Sequence, residues 1–224
     1  MAPFFTKSTI AKSEGPPVKP NKIYFIGGHW GFTQQIKIYD ITSTINDEYD
    51  PKNTDWFKKT WGIANKSKSP LESMILVNRD RWYGNNFTFN ESNGAKIAEW
   101  KGGWHSNSDN QIMFPAESAI CSHAITMEVD SYFKFRDSFV VDSVKFVWLA
   151  TNAVSMRAFE LRKIIAGEQT EVARFWQPLG QFKQGGILIV NTEEVDPIIA
   201  ILTNLVVLRK QRLKYYEYGS KTGL

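Results

Sequence analysis

Near its C-terminus the chain reads Ile198-Ile199-Ala200-Ile201-Leu202-Thr203-Asn204-Leu205-Val206-Val207-Leu208, followed at once by Arg209-Lys210-Gln211-Arg212-Leu213-Lys214. Nine of the first eleven residues are apolar, and they cover every side of a helix. A helix with no polar side has to be buried, either in a protein core or in a bilayer. Length separates the two cases: Pro197 to Leu208 spans about 18 Å at 1.5 Å per residue, well short of the roughly 30 Å of hydrocarbon in a membrane. A core helix over Asp196 to Lys214 is therefore expected. Asp196 is placed to cap it, and Pro197 fits the first turn, where a missing N–H costs nothing. Glu193 and Glu194 lie near the positive end of its dipole, and Arg209, Lys210, Arg212 and Lys214 near the negative end, so the charges fit a helix that stops there.

The chain before this helix reads as short strands. Ile23-Tyr24-Phe25-Ile26 is an apolar run stopped by Gly27-Gly28, and Ile36-Lys37-Ile38-Tyr39-Asp40-Ile41 alternates as a half-buried strand does. Further candidates are Met74 to Val77, Phe87 to Phe89, Ala95 to Trp100, Ile112 to Phe114, Ile125 to Val129, Tyr132 to Phe135, Phe139 to Val141, Val144 to Leu149, Ala158 to Ile165, Glu171 to Phe175 and Ile187 to Val190. Asn93-Gly94, Ala166-Gly167-Glu168 and Gln184-Gly185-Gly186 are among the breakers between them. Ala158 to Ile165 also has the composition of a short helix, and is read as a strand. Asn46 to Ser69 reads as turn-rich, with Trp56, Phe57 and Trp61 anchoring it to the body. Residues 1–22 carry Gly, Pro and Lys without periodicity and read as a flexible, poorly packed arm. The expected fold is mainly β: one domain over residues 23–224, a closed antiparallel barrel of about twelve strands around a hydrophobic C-terminal central helix.

Composition narrows the setting. With 42% hydrophobic and 22% charged residues the chain is an ordinary globular protein, not a disordered or fibrous one. A single cysteine, Cys121, excludes an internal disulfide, and the N-terminus lacks the apolar stretch of a signal peptide. A cytoplasmic protein, or one peripheral at membranes, is expected, so the three glycosylation sequons at Asn65, Asn86 and Asn90 are chance matches. The net charge of +4 suits an anionic partner, yet no run of five like charges marks a nucleic-acid-binding tail.

The second half resembles the tubby C-terminal-like superfamily, which includes tubby proteins, phospholipid scramblases and the LURP-one-related plant proteins, and is most similar to small fungal tubby-like domains of unknown function. The residues that carry the resemblance are Lys145-Phe146-Val147-Trp148, Phe159-Glu160-Leu161, Glu171-Val172-Ala173-Arg174-Phe175, Gly186-Ile187-Leu188-Ile189 and the helix Asp196 to Lys214. Ala95 to Trp100 followed by Ile112-Met113-Phe114 resembles the family's first-half hairpins. The resemblance implies about twelve antiparallel strands around a C-terminal helix, and a role in phosphoinositide or lipid association. It carries over no functional residue: the basic pair of tubby proteins and the Cys-rich run of scramblases are both missing.

Candidate sites follow from residue chemistry. Arg157, Arg162, Lys163, Arg174 and Lys183 fall around loops of the resembling half, and guanidinium and ammonium groups recognise phosphate. They are the expected ligand-binding residues for an anionic membrane surface or a phosphorylated ligand. Gly27-Gly28-His29-Trp30-Gly31 and Gly102-Gly103-Trp104-His105 each place Trp and His beside a Gly-Gly turn. Cys121 and His123 lack a second cysteine for zinc and an orienting acid for nucleophilic catalysis. Asp130, Asp137 and Asp142 fall in one hairpin region, where carboxylates at strand ends could gather a calcium ion and where Asp is equally at home in turns. Neither a catalytic group, a metal nor a cofactor is expected. The functional expectation is a non-enzymatic binding module for phosphoinositide or other anionic headgroups. Its alternatives are a protein-interaction or structural module, and a lectin stacking sugars on Trp30, Trp82 or Trp104.

Overall fold

The computed structural model describes residues 15–29, 34–51, 53–66, 73–81, 84–103, 105–131, 136–151, 157–178 and 184–222. Twelve strands run in chain order: β1 (Lys22–His29), β2 (Gln35–Asp40), β3 (Ile75–Arg79), β4 (Asn86–Glu91), β5 (Lys96–Lys101), β6 (Asn110–Met113), β7 (Ile125–Ser131), β8 (Arg136–Val141), β9 (Val144–Ala150), β10 (Ala158–Ile165), β11 (Glu168–Trp176) and β12 (Gln184–Val190). Each pairs antiparallel with its neighbours in sequence, and β1 pairs with β12 to close the barrel, with Lys22 opposite Val190 and Ile26 opposite Gly186. The candidate strand Tyr132 to Phe135 lies outside the described residues. Ala158 to Ile165 is a strand, in register with β9 and β11.

The last element, α2 (Pro197–Thr222), is the enclosed helix. Asp196 caps it as expected, its Oδ1 accepting from the N–H groups of Ile198 at 2.7 Å and Ile199 at 3.2 Å. Ile199, Ile201, Leu202, Leu205, Val206, Val207 and Leu208 are buried against inward side chains of the wall, among them Ile38, Val77, Phe89, Ile112, Met127, Trp148, Leu161, Phe175 and Leu188. Trp148 also donates its indole N–H to Thr203 Oγ1 at 3.0 Å, which satisfies one of the few polar groups on this part of the helix. The helix runs two turns past the expected end at Lys214. Its basic residues therefore lie along its body, not at its terminus. Among the described residues no helix is long and apolar enough to cross a membrane.

A second apolar cluster lies outside the barrel. It explains why β1 and β12 read as unbroken apolar runs: Tyr24, Ile26, Leu188 and Val190 face the central core, while Ile23, Phe25, Ile187 and Ile189 face outward under a covering layer. That layer is α1 (Thr54–Lys66), the segment expected to be turns. The correction has a local reason: Asn53 Oδ1 accepts the Asp55 N–H at 3.0 Å as a cap, and Phe57, Trp61 and Ala64 recur at i, i+4 and i+7. Gly62 and the flanking turn residues mask this pattern in the sequence. The anchoring expectation for Trp56 and Phe57 holds, since both are buried, and Phe57 stacks on Trp176 with ring centres 5.8 Å apart.

The described part of the N-terminal arm touches the barrel at two points, while Pro16, Pro17 and Lys19 stay exposed. Val18 is buried in the outer cluster, its backbone hydrogen-bonds Glu171, and Asn21 exchanges two hydrogen bonds with Thr192, each 2.9 Å. Two of the strand connections at the mouth where α2 begins are tight hairpin turns. Asp142-Ser143 and Ala166-Gly167 form two-residue turns with positive φ at both positions, the conformation that matches strand twist in a hairpin.

Asn204 is the one polar side chain on the apolar half of α2 whose amide oxygen and nitrogen both lack a hydrogen-bond partner among the described residues, and it is fully buried. An orphaned buried amide costs about 1–3 kcal/mol. Asn204→Leu is expected to raise the unfolding free energy by about 1–2 kcal/mol in urea titration. A loss of stability would show that the amide has a partner inside the barrel.

Candidate functional site

Because neighbouring strands alternate in direction, the ends of the odd-numbered strands and the starts of the even-numbered ones border the same mouth. The second half of α2 points to it. There the interior lining changes from apolar to polar: Arg79 ends β3 on the inward face it shares with Ile75 and Val77, Asn110 begins β6, and Asp137 is the second residue of β8.

Two groups of side chains meet α2 at this end. On one side Lys210 Nζ donates to Asp137 Oδ1 at 2.8 Å and to the Met127 carbonyl at 3.3 Å, with both charged side chains almost wholly buried. Lys214, one turn further along, is also buried. Desolvation pulls its ammonium below the ordinary lysine value, Asp137 opposes this, and Lys210 adds to it. Glu217 accepts from the Ser106 N–H at 2.9 Å and the Ser106 hydroxyl at 2.5 Å, and lies 3.6 Å from His105 Nδ1. On the other side Arg209 Nη2 donates to Asn85 Oδ1 at 2.9 Å. Arg79 Nε donates to the Gly84 carbonyl at 2.5 Å, and its guanidinium lies 5.5 Å over the Phe87 ring. Burial holds Arg79 below the ordinary arginine value; Asp80 opposes this and the charge of Arg212 reinforces it. The chemistry of this end is that of cationic donors: Arg79, Arg209, Lys210, Arg212 and Lys214 face Asp80, Asp137 and Glu217.

The five residues expected to bind a ligand do not converge. Arg162 and Arg174 lie on the outer face of β10 and β11 in a network with Glu160 and Glu171: Arg162 Nη2 reaches Glu160 Oε2 at 2.8 Å, and Arg174 grips Glu171 at 2.7 and 2.9 Å and Glu160 at 3.0 Å. Lys163 pairs with Glu194 at 3.0 Å near the opposite mouth. Arg157 is beside the start of β10, at the mouth where α2 leaves, and donates to the Pro178 carbonyl at 3.2 Å. Lys183 lies outside the described residues, as do Trp30, Trp82 and Trp104. Gly27 and Gly28 do not stop β1, which continues through His29. Gly102 follows β5 and its N–H bonds the Asn85 carbonyl at 2.9 Å, so both Gly-Gly segments border the same mouth.

The remaining candidates separate. Asp130 faces outward to Ser138, Arg136 and Lys145, Asp137 faces inward to Lys210, and Asp142 forms a turn at the far mouth, so they do not gather a cation. Among the described residues no group of three His, Cys, Asp or Glu side chains is placed to hold a metal ion. Cys121 is buried and its thiol donates to the His123 carbonyl at 3.2 Å.

Sequence reasoning passed over Arg79, Asn85, Asp137 as an inward charge, and Glu217. The available signal was the alternation Ile75, Val77, Arg79, which puts an arginine on an inward strand face, and Lys210 with Lys214 at i, i+4 on a helix already known to be enclosed. Compared with protein-family models, with curated proteins and with solved structures, the chain matches none.

A buried ion pair resists the loss of one partner far more than the loss of both. Asp137→Leu is therefore expected to lower stability by about 3–5 kcal/mol, and the double variant Asp137→Leu with Lys210→Met to recover most of it. Equal losses in the single and double variants, read from urea unfolding, would contradict the pairing.

Proposed function

We propose that the chain is a distant member of the tubby-like superfamily and a non-enzymatic binding module for the phosphorylated headgroup of an anionic lipid or another phosphorylated ligand. The fold supports the family reading: twelve antiparallel strands in sequence order around a C-terminal helix. The binding reading rests on one observation, the basic side chains Arg79, Arg209, Arg212 and Lys214 that β3 and α2 carry to one end of the barrel, beside the Lys210–Asp137 pair. Guanidinium forks and ammonium groups suit phosphate oxygens, and the net charge of +4 favours approach to an anionic surface. The protein would then work as a peripheral module on a cytoplasmic membrane face. This patch lies at the mouth where α2 leaves the barrel, whereas Arg162 and Arg174 lie on the outer wall beside Glu160 and Glu171.

Flotation of the protein with vesicles of phosphatidylcholine, with and without phosphatidylinositol 4-phosphate, across a salt series tests the reading. Binding that needs the phosphoinositide, weakens with salt and is reduced by Arg209→Gln combined with Arg212→Gln is expected. No binding at low salt would remove the membrane reading.

A further inference from the structure

On the outward faces of β10 and β11 five polar side chains are linked in one line. Gln169 Oε1 accepts from Arg162 Nη1 at 3.4 Å, and Arg162 Nη2 donates to Glu160 Oε2 at 2.8 Å. Arg174 Nη2 then joins Glu160 Oε1 at 3.0 Å to Glu171 Oε2 at 2.9 Å. Glu160, Arg162 and Glu171 are buried although they point away from the barrel interior. Buried ion pairs are poor sources of stability, since apolar residues of the same size do as well or better. What such a line does provide is fixed position for the groups at its ends.

Both ends of the line, Gln169 and Glu171, meet the segment that precedes β1. A Cβ at Gly15 would run into the Gln169 carbonyl oxygen, so the close approach there needs a glycine. The Val18 N–H is hydrogen-bonded to the Glu171 carboxylate, and the Val18 side chain is buried in the outer cluster with Phe25, Phe57, Ile187 and Ile189. Pro16 and Pro17 between them are exposed and have no N–H, so Val18 carries the first backbone donor after Gly15. Proline also holds such a stretch extended before it docks, which lowers the entropy lost on docking. The wall thus reads a glycine, a rigid two-residue spacer, one N–H and one branched apolar side chain.

We propose that this wall is a recognition groove for an extended Gly-Pro-Pro-Val segment of a partner protein, and that residues 15–18 of the chain itself fill it as a stand-in. The groove is separate from the basic mouth and does not depend on the headgroup reading. Its present occupant is lightly held: of the four residues only Val18 is buried and Gly15 half-buried, so a competing segment has one side chain and one hydrogen bond to displace. A second copy of the chain is a poor source of that segment. Asn21, three residues after Val18, exchanges two hydrogen bonds with Thr192 of its own barrel, which leaves about 10 Å of chain to separate two barrels. The groove fits a partner whose Pro-rich segment is free at both ends.

The test is fluorescence anisotropy of a peptide with the sequence of residues 15–21, labelled at its C-terminus, titrated with the full chain carrying Gly15→Val, which expels the chain's own segment. Saturable binding of one peptide per chain is expected. The wild-type chain is expected to bind at least about tenfold more weakly, because its own segment competes at a high effective concentration. A peptide carrying Val18→Asp is expected to lose at least about tenfold in affinity for the Gly15→Val chain, since its carboxylate would enter an apolar socket. Circular dichroism checks that the variants are folded, and the full chain with Val18→Asp takes the place of Gly15→Val if that variant does not fold or keeps its segment docked. No peptide binding by either folded variant overturns the groove, and binding that the Val18→Asp peptide retains in full overturns the assignment to the Val18 socket. Equal binding by wild type and variant overturns the stand-in role of residues 15–18. A wild-type chain that sediments as a dimer, while Gly15→Val is a monomer, assigns the groove to a second copy and overturns the choice of partner.

Discussion

Enclosure of α2 is the constraint on which the rest of the structure depends. Seven of its large aliphatic side chains, Ile199, Ile201, Leu202, Leu205, Val206, Val207 and Leu208, are buried on all sides of the helix. At about 1.5–3 kcal/mol each, their burial is worth roughly 10–20 kcal/mol as an upper bound. That exceeds the several kcal/mol per ion needed to bring Lys210 and Asp137 out of water. The helix can therefore continue beyond its apolar stretch into a polar interior, provided each charge meets a partner there. Lys210 meets Asp137, Arg209 meets Asn85 and Glu217 meets Ser106, and the polar end of the barrel is the consequence.

The seam where the ring closes carries a second load. β1 and β12 come from opposite ends of the chain and bury both faces, one on α2 and one beneath α1 and the segment around Val18. Neither strand could be half-polar without opening this outer cluster. The aromatic contacts of Phe25 with Trp61 and of Phe57 with Trp176 fix α1 over the joint. Closure also demands contacts between residues far apart in sequence, such as Lys22 with Val190, so the barrel completes only after most of the chain is ordered.

The architecture was legible because its signals are local. Alternation in Ile36 to Ile41, the breakers at Asn93-Gly94 and Ala166-Gly167, and the Asp196-Pro197 start of an all-apolar helix each act over a few residues, and the barrel is the structure that reconciles them. The chemistry was much less legible. Arg162 and Arg174 look like surface cations in sequence, and only the strand register brings Glu160 and Glu171 against them. Lys210 and Lys214 look like a helix cap, and only the depth of the barrel turns them into interior charges. Asn85 reads as a turn residue, yet it joins the β3 end of the wall to Arg209 across 124 positions of sequence. Helix α1 was hidden for a different reason: a weak helical period broken by Gly62 depends on the outer faces of β1 and β12 for its stability.

Amide hydrogen exchange in α2 tests the enclosure most directly. If the helix is locked inside the ring, the amides of residues 201–208 exchange only through global unfolding, more slowly than those of α1. Exchange of these amides as fast as those of α1, under conditions where the strands remain protected, would show that the helix leaves the barrel without unfolding it and would contradict the account.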